Sequence, residues 1–218
     1  MNNVKPMARR GLRSARFRRG AAAFAGSGFV LASPCHAIDF AQLDASRSST
    51  TVVAVQSLRP SEAGRPSPQV TAAATRWRTG SALGLSGVAR WAVVDGPHAW
   101  VVGAGAGLDR FEDRSGPEPS RSAVSVRAQA EWFGPTPVGH YYGLVQASSF
   151  RQSRLLVLQH AFARGVAVEL THYHDRGYES IGAGLRLPLP AERWYWRIGA
   201  LRAEGSTTPF VGVAYNAF

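Results

Sequence analysis

His172, Tyr173, His174 and Asp175, with Glu179 and Ser180 close behind, are where base, acid and hydroxyl types gather in this 218-residue chain. A histidine beside a serine can take the hydroxyl proton and turn the oxygen into a nucleophile, and a carboxylate can orient the imidazole. That chemistry cleaves acyl esters, and at a membrane surface the ester would belong to lipopolysaccharide. His172, His174, Glu179 and Ser180 are therefore the catalytic candidates. The competing reading is a polar surface loop at the tip of two adjacent strands. Metal binding is not expected: two histidines two residues apart on a strand supply two ligands, and no third is identifiable. Gly103, Gly105 and Gly107 alternate within one strand and no helix follows, so they do not make a dinucleotide loop. No Walker or zinc pattern occurs, and no cofactor is expected.

The elements around that cluster are written in period two. From Val124 to Trp132 the apolar set is Val124, Val126, Ala128, Ala130 and Trp132, with Ser125, Arg127, Gln129 and Glu131 between them. Such alternation is a strand with one apolar and one polar face. The same pattern runs from Leu83 to Val93, from Trp100 to Asp109, from Val166 to Thr171 and from Ser180 to Leu189. A soluble sandwich also alternates, with its apolar faces turned inward. Here the polar faces are rich in Gly, Ser, Arg and Glu and poor in the long side chains that coat a solvated sheet. Glycine on the polar face suits a crowded, curved interior, so the expected fold is all-β: a closed antiparallel up-and-down transmembrane barrel, apolar outside and polar inside.

The chain opens with an export address. Lys5, Arg9, Arg10, Arg13, Arg16, Arg18 and Arg19 precede an apolar run from Ala21 to Ala32 and a small-residue ending at Cys35, His36 and Ala37. This is the order of a secretory signal peptide, and about twelve apolar residues are too few for a membrane-spanning helix. Residues 1–37 are therefore read as a leader cleaved after Ala37, with 38–218 as the mature domain. Arg18-Arg19 as a twin-arginine signal and Cys35 as a lipoprotein site are alternatives. Of 25 basic residues seven lie in the leader, leaving 18 against 14 acidic ones, so the net charge falls from +11 to +4. The basic excess thus sits mostly on the leader, and no nucleic-acid role is expected. With Cys35 gone, the mature domain has no disulfide.

Twelve strands are predicted, near 38–46, 50–58, 68–77, 83–94, 99–109, 121–132, 139–148, 153–162, 165–175, 178–189, 193–204 and 209–218. An even number closes a bacterial barrel, and ten remains open because the first two carry the weakest pattern. With the last strand running toward the periplasm, the periplasmic turns are Asp95-Gly96-Pro97, Gly134-Pro135-Thr136-Pro137, Ala163-Arg164-Gly165 and Pro190-Ala191-Glu192. The largest outer loop is Arg110 to Arg121. The long Arg59 to Ser67 connection falls, against this pattern, on the periplasmic side. Trp91, Trp100, Trp132, Trp194, Trp196 and Phe218, with Tyr141, Phe162 and Tyr215, then share one level at the periplasmic end. Amphipathic rings favour the headgroup zone, which makes this an aromatic girdle.

The tail Phe210-Val211-Gly212-Val213-Ala214-Tyr215-Asn216-Ala217-Phe218 resembles the closing strand of Gram-negative outer-membrane β-barrel proteins, which ends in Phe after an aromatic two residues earlier. In this chain the aromatic is three residues earlier. The resemblance implies residence in the outer membrane, contact with its lipid and lipopolysaccharide, and insertion by the barrel-assembly machinery. The cluster at His172 is similar to the active strand of lipid A deacylase barrels, where His is followed two residues later by Ser. His174 stands at that second position.

Arg76, Arg78, Arg90, Arg127, Glu131, Glu169, Arg186 and Arg197 are expected to face the lumen. Eight strands are filled by side chains and sixteen leave a channel, so ten or twelve lie between. The charges either pair into a plug, leaving a structural barrel, or form an arginine-biased constriction of a narrow solute pore. Surface lipid hydrolysis is the enzymatic alternative. A soluble secreted β-sandwich or an envelope interaction module, through the Arg110 to Arg121 loop, is the third class.

Overall fold

The computed structural model describes residues 38–59, 64–94, 96–115 and 120–217. The expected leader, Asp95 and Phe218 lie outside the described residues. Twelve strands are present: β1 (Phe40–Ser46), β2 (Ser49–Ser57), β3 (Ser67–Trp77), β4 (Gly80–Val94), β5 (Ala99–Asp113), β6 (Arg121–Thr136), β7 (Gly139–Ser148), β8 (Arg154–Phe162), β9 (Ala167–Asp175), β10 (Tyr178–Pro188), β11 (Trp194–Ala203) and β12 (Ser206–Asn216). Each pairs with its sequence neighbours, and β1 closes on β12 from Phe40↔Asn216 to Ser46↔Phe210. All pairs are antiparallel, so the result is an up-and-down barrel of twelve strands and not ten. A single 3-10 turn, Phe150–Gln152, interrupts the β7–β8 connection.

Alternation decides which way the sheet faces. On β5 and β6 the even-numbered residues point outward: Leu108 is 62% exposed, Val124 73% and Val126 68%. Between them Val101, Asp109, Ser125, Gln129 and Glu131 are buried on the inner face. Large aliphatics on the outside and polar groups within invert the arrangement of a water-soluble sheet, and closure leaves no strand edge unpaired.

Three boundaries differ from the alternation reading, each for a local reason. Pro135 sits inside β6, opposite His140, and not in a turn. The β5 ladder against β6 ends at Ala99↔Phe133, so the missing proline N–H has no partner to disappoint on that side. Pro209 on β12 is tolerated likewise, one residue beyond the last β1 pair at Phe210. β12 starts at Ser206 because Glu204 (φ 49°) and Gly205 (φ 78°) make a two-residue turn with positive φ at both positions, which matches strand twist. The predicted Arg110 to Arg121 loop is shorter: β5 continues to Asp113 by pairing with Gly80 of β4.

Both ends of the described chain lie at one end of the barrel, here the near end. The connection between Ser57 and Ser67 is at that end as well, and the His172 to Ser180 hairpin is at the far end.

Candidate functional site: the barrel interior

Glycine makes room for the charges inside. β5 presents Gly103, Gly105 and Gly107 inward, so its inner face is bare backbone between Val101 and Asp109. Side chains from the strands on either side reach across it. Gln129 on β6 bonds Gln69 on β3 at 3.3 Å, although β4 and β5 lie between them. Arg127 lies over Gly107 and donates to Asp109 at 2.5 Å, and Ser125 donates to the other oxygen of the same carboxylate.

Four groups of paired charges line the inner wall. Arg90 on β4 meets Glu131 on β6 at 2.9 Å, and Gln129 and Tyr142 also donate to that carboxylate, at 3.0 and 3.3 Å. The Arg127–Asp109 pair is the second. On the opposite wall Glu169 of β9 accepts from Arg186 of β10 and Arg197 of β11, and Arg197 also donates to Asp44 of β1. Toward the far end, Arg151 from the 3-10 turn grips Asp175 in two bonds of 3.0 Å, with Tyr173 and the Gly177 amide on the same carboxylate. The Arg151 guanidinium stacks 4.0 Å from the Phe111 ring centroid.

Arg90, Glu131, Glu169, Arg186 and Arg197 are thus buried on the interior face, with Arg127 nearly so. Arg76 is not among them. It is exposed, and it pairs with Thr50 and Ser81 in a row that shares the outer face with Val52 and Leu83. The inward positions on β3 are Ser67, Gln69, Thr71, Ala73, Thr75 and Trp77; the charge of Arg76 suggests the lumen, but strand parity turns it outward. Arg78 belongs to the β3–β4 turn, outside any strand.

Asp44 and Asp109 supply carboxylates that reading from sequence did not single out, and Asp175, read there as part of the surface cluster, turns inward to hold Arg151. Asp44 and Asp109 share the parity of their strands' polar residues, which is a usable signal. Arg151 comes from a connection, where parity says nothing. Its backbone is left-handed (φ 53°), an uncommon geometry for a side-chain-bearing residue.

The hydrolase constellation does not assemble. His172 bonds Glu179 at 2.9 Å on the outer face of the barrel. Ser180 is buried on the inner face, paired with inward Tyr173. Adjacent strand residues point to opposite sides of a sheet, so the backbone itself separates Ser180 from the His172–Glu179 pair. His174 is exposed on the outer face, opposite Glu179 in the ladder.

Five tryptophans face outward at the near end. Trp91, Trp100, Trp194 and Trp196 are between 39% and 47% exposed, and Trp132 stacks on Trp100 with centroids 5.6 Å apart. Trp194 packs on Tyr215 of the closing strand at 5.3 Å. The sixth, Trp77, points inward near the far end against Phe111.

A closed twelve-stranded barrel, apolar outside and lined with charge within, is the fold of outer-membrane β-barrels. No family model matches the chain, and no curated protein matches it. Among solved structures the chain is similar to a KdgM porin in complex with disordered oligogalacturonate, at 11% identity and TM-score 0.50, covering 81% of this chain and 97% of that one. A second KdgM porin structure has TM-score 0.47 with the same identity and coverage.

Proposed function

We propose that this protein is exported by its leader, inserted into the outer membrane of a Gram-negative cell by the barrel-assembly machinery, and there forms a narrow pore for small solutes. The observation that carries the reading is the inverted barrel: aliphatic outside, polar and charged inside, with a tryptophan ring at one end suited to the headgroup zone. Asp44 Oδ1, Ser86 Oγ and the Nε atoms of Arg127 and Arg186 are buried in the wall without a hydrogen-bond partner among the described residues. Groups of this kind are satisfied by water in native proteins, which supports a hydrated passage.

The pore is balanced in charge. Arg90, Arg127, Arg151, Arg186 and Arg197 face Asp44, Asp109, Glu131, Glu169 and Asp175, and each arginine has a carboxylate partner. Paired charges present little net field to a passing ion, so this lumen selects by size more than by sign. The polyanionic oligogalacturonate of the KdgM structure is accordingly not carried over to this chain.

Residues 38–218 refolded into a planar bilayer should give small, discrete conductance steps, with a reversal potential near zero in a potassium chloride gradient. Folded, inserted protein that conducts nothing would instead assign the paired charges to a plug and the barrel to a structural role. The low exposure of Glu169 and Arg197, 4% each, favours that second reading.

A further inference from the structure

Outside the barrel, a groove of about 750 Å3 crosses five strands, from β2 to β6. Two successive rows of outward side chains form its walls. One row is Val52, Ala74, Leu83, Arg110 and Ser122; the other is Ala54, Ala72, Leu85, Leu108 and Val124. Its floor is the backbone of Ala73, Gly84, Asp109 and Ala123, the row between, whose side chains turn inward. The alanines of β2 and β3 keep the walls low where Leu or Val elsewhere would fill the space. The volume lies within the few-hundred to ~1,000 Å3 range of small-molecule sites.

The groove is apolar except at its far-end margin. Arg110 stands in the wall, 60% exposed at its side chain, and Arg76 follows Ala74 on the same face of β3. Arg78 and Arg47 sit exposed in the two neighbouring hairpin turns. Among the described residues of this face the acid is Glu112, which Arg110 contacts. Arg76 has no ion-pair partner among the described residues. At the near end the outward residues include Trp91, Trp100 and Trp132, and Arg59 and Arg65 sit exposed in the connection between Ser57 and Ser67.

The geometry points to a binding site for one phosphorylated, acylated lipid of the outward-facing leaflet, its acyl chain in the groove and its phosphate on Arg76 and Arg110. This rests on the membrane reading above. The chemistry fits in both parts: an aliphatic trough accepts a methylene chain, and guanidinium forks match phosphate oxygens. A basic margin directly beside an apolar groove is the pattern that recognises anionic headgroups at a membrane surface. It also gives the outward-facing arginine at position 76 a role that the lumen does not.

The test uses the leaderless protein folded in detergent, with native mass spectrometry as the readout and lipid A or a diacylglycerol as the added probe. Heat-dependent migration on gels checks folding of every variant. Wild type should take up one lipid A. Ala74→Phe fills the groove and should abolish uptake of both probes, while Ala183→Phe, an equal addition on the outer face of β10, should change neither. Arg76→Ser should weaken lipid A binding by about fivefold, the worth of roughly 1 kcal/mol per basic contact, and leave diacylglycerol unaffected. Lipid A uptake at wild-type level in folded Ala74→Phe overturns the proposal. A dimer in wild type that Ala74→Phe dissolves, without lipid uptake, overturns it too and gives the groove to a second copy. If wild type folds and inserts but takes up no lipid A, only this site fails; if it cannot insert at all, the membrane reading fails first.

Discussion

Gly107 leaves the space that Arg127 occupies: a β-carbon at position 107 would lie 2.8 Å from the guanidinium Nε and 3.0 Å from Ser125 Oγ. Gly84 clears the other side, 2.9 Å from the Asp109 carboxylate. The ion pair and the two glycines are therefore one unit. Gly107→Val should destabilise the folded barrel by about 1–3 kcal/mol through overpacking. Gly87 on the outer face of β4 has nothing within 4 Å, and Gly87→Val should be close to neutral. Urea unfolding in detergent micelles compares the two; equal losses would mean that the inner face of β5 is not crowded.

Charge balance in the lumen predicts a change of sign. Glu131→Gln leaves Arg90 without its carboxylate and should shift the reversal potential toward anion preference, whereas Arg90→Gln frees Glu131 and should shift it toward cations. Planar-bilayer recordings in a salt gradient read both. Shifts of the same sign in the two variants would contradict a pore lined by this pair.

The placement of the tryptophans is open to fluorescence. Quenchers attached near the lipid headgroup should suppress emission from Trp91, Trp100, Trp132, Trp194 and Trp196, and spare Trp77 inside the barrel. Trp77→Phe should then remove the unquenched component and leave the rest intact. A residual unquenched signal in that variant would place part of the ring away from the membrane boundary.

Hydrolysis should be absent. With Ser180 inside the barrel and His172 outside, lipid A from cells expressing wild type, His172→Ala or Ser180→Ala should show the same acyl pattern by mass spectrometry. Loss of an acyl chain in wild type alone would require the β9–β10 hairpin to rearrange.

Strand number and facing were legible because a two-sided sheet forces period two on every crossing, as between Val124 and Trp132. The ends of β6 and β12 were not, because proline there is harmless only once the neighbouring strand has stopped, a fact of register and not of composition. The Glu204-Gly205 turn lacks the Asn-Gly signature of its type. Arg76 shows the cost of reading a charge as lumenal without counting its parity from Gln69. Ser180 teaches the same lesson: six chemically apt residues in nine positions look like one site in sequence, and a pleated backbone divides them between two solvents. Arg151 was invisible because it enters from a connection, where no periodicity applies.

The ladder from Phe40↔Asn216 to Ser46↔Phe210 joins the first strand to the last, so the cylinder is shut by residues nearly a whole chain apart. Until the final segment arrives, β1 and β11 each offer an open row of amides to any neighbouring polypeptide. Such distant partners find each other slowly. A chain cut short before Ser206 would keep eleven of the twelve strands and lack the one that joins β11 to β1, leaving a sticky open sheet with no means of completing itself.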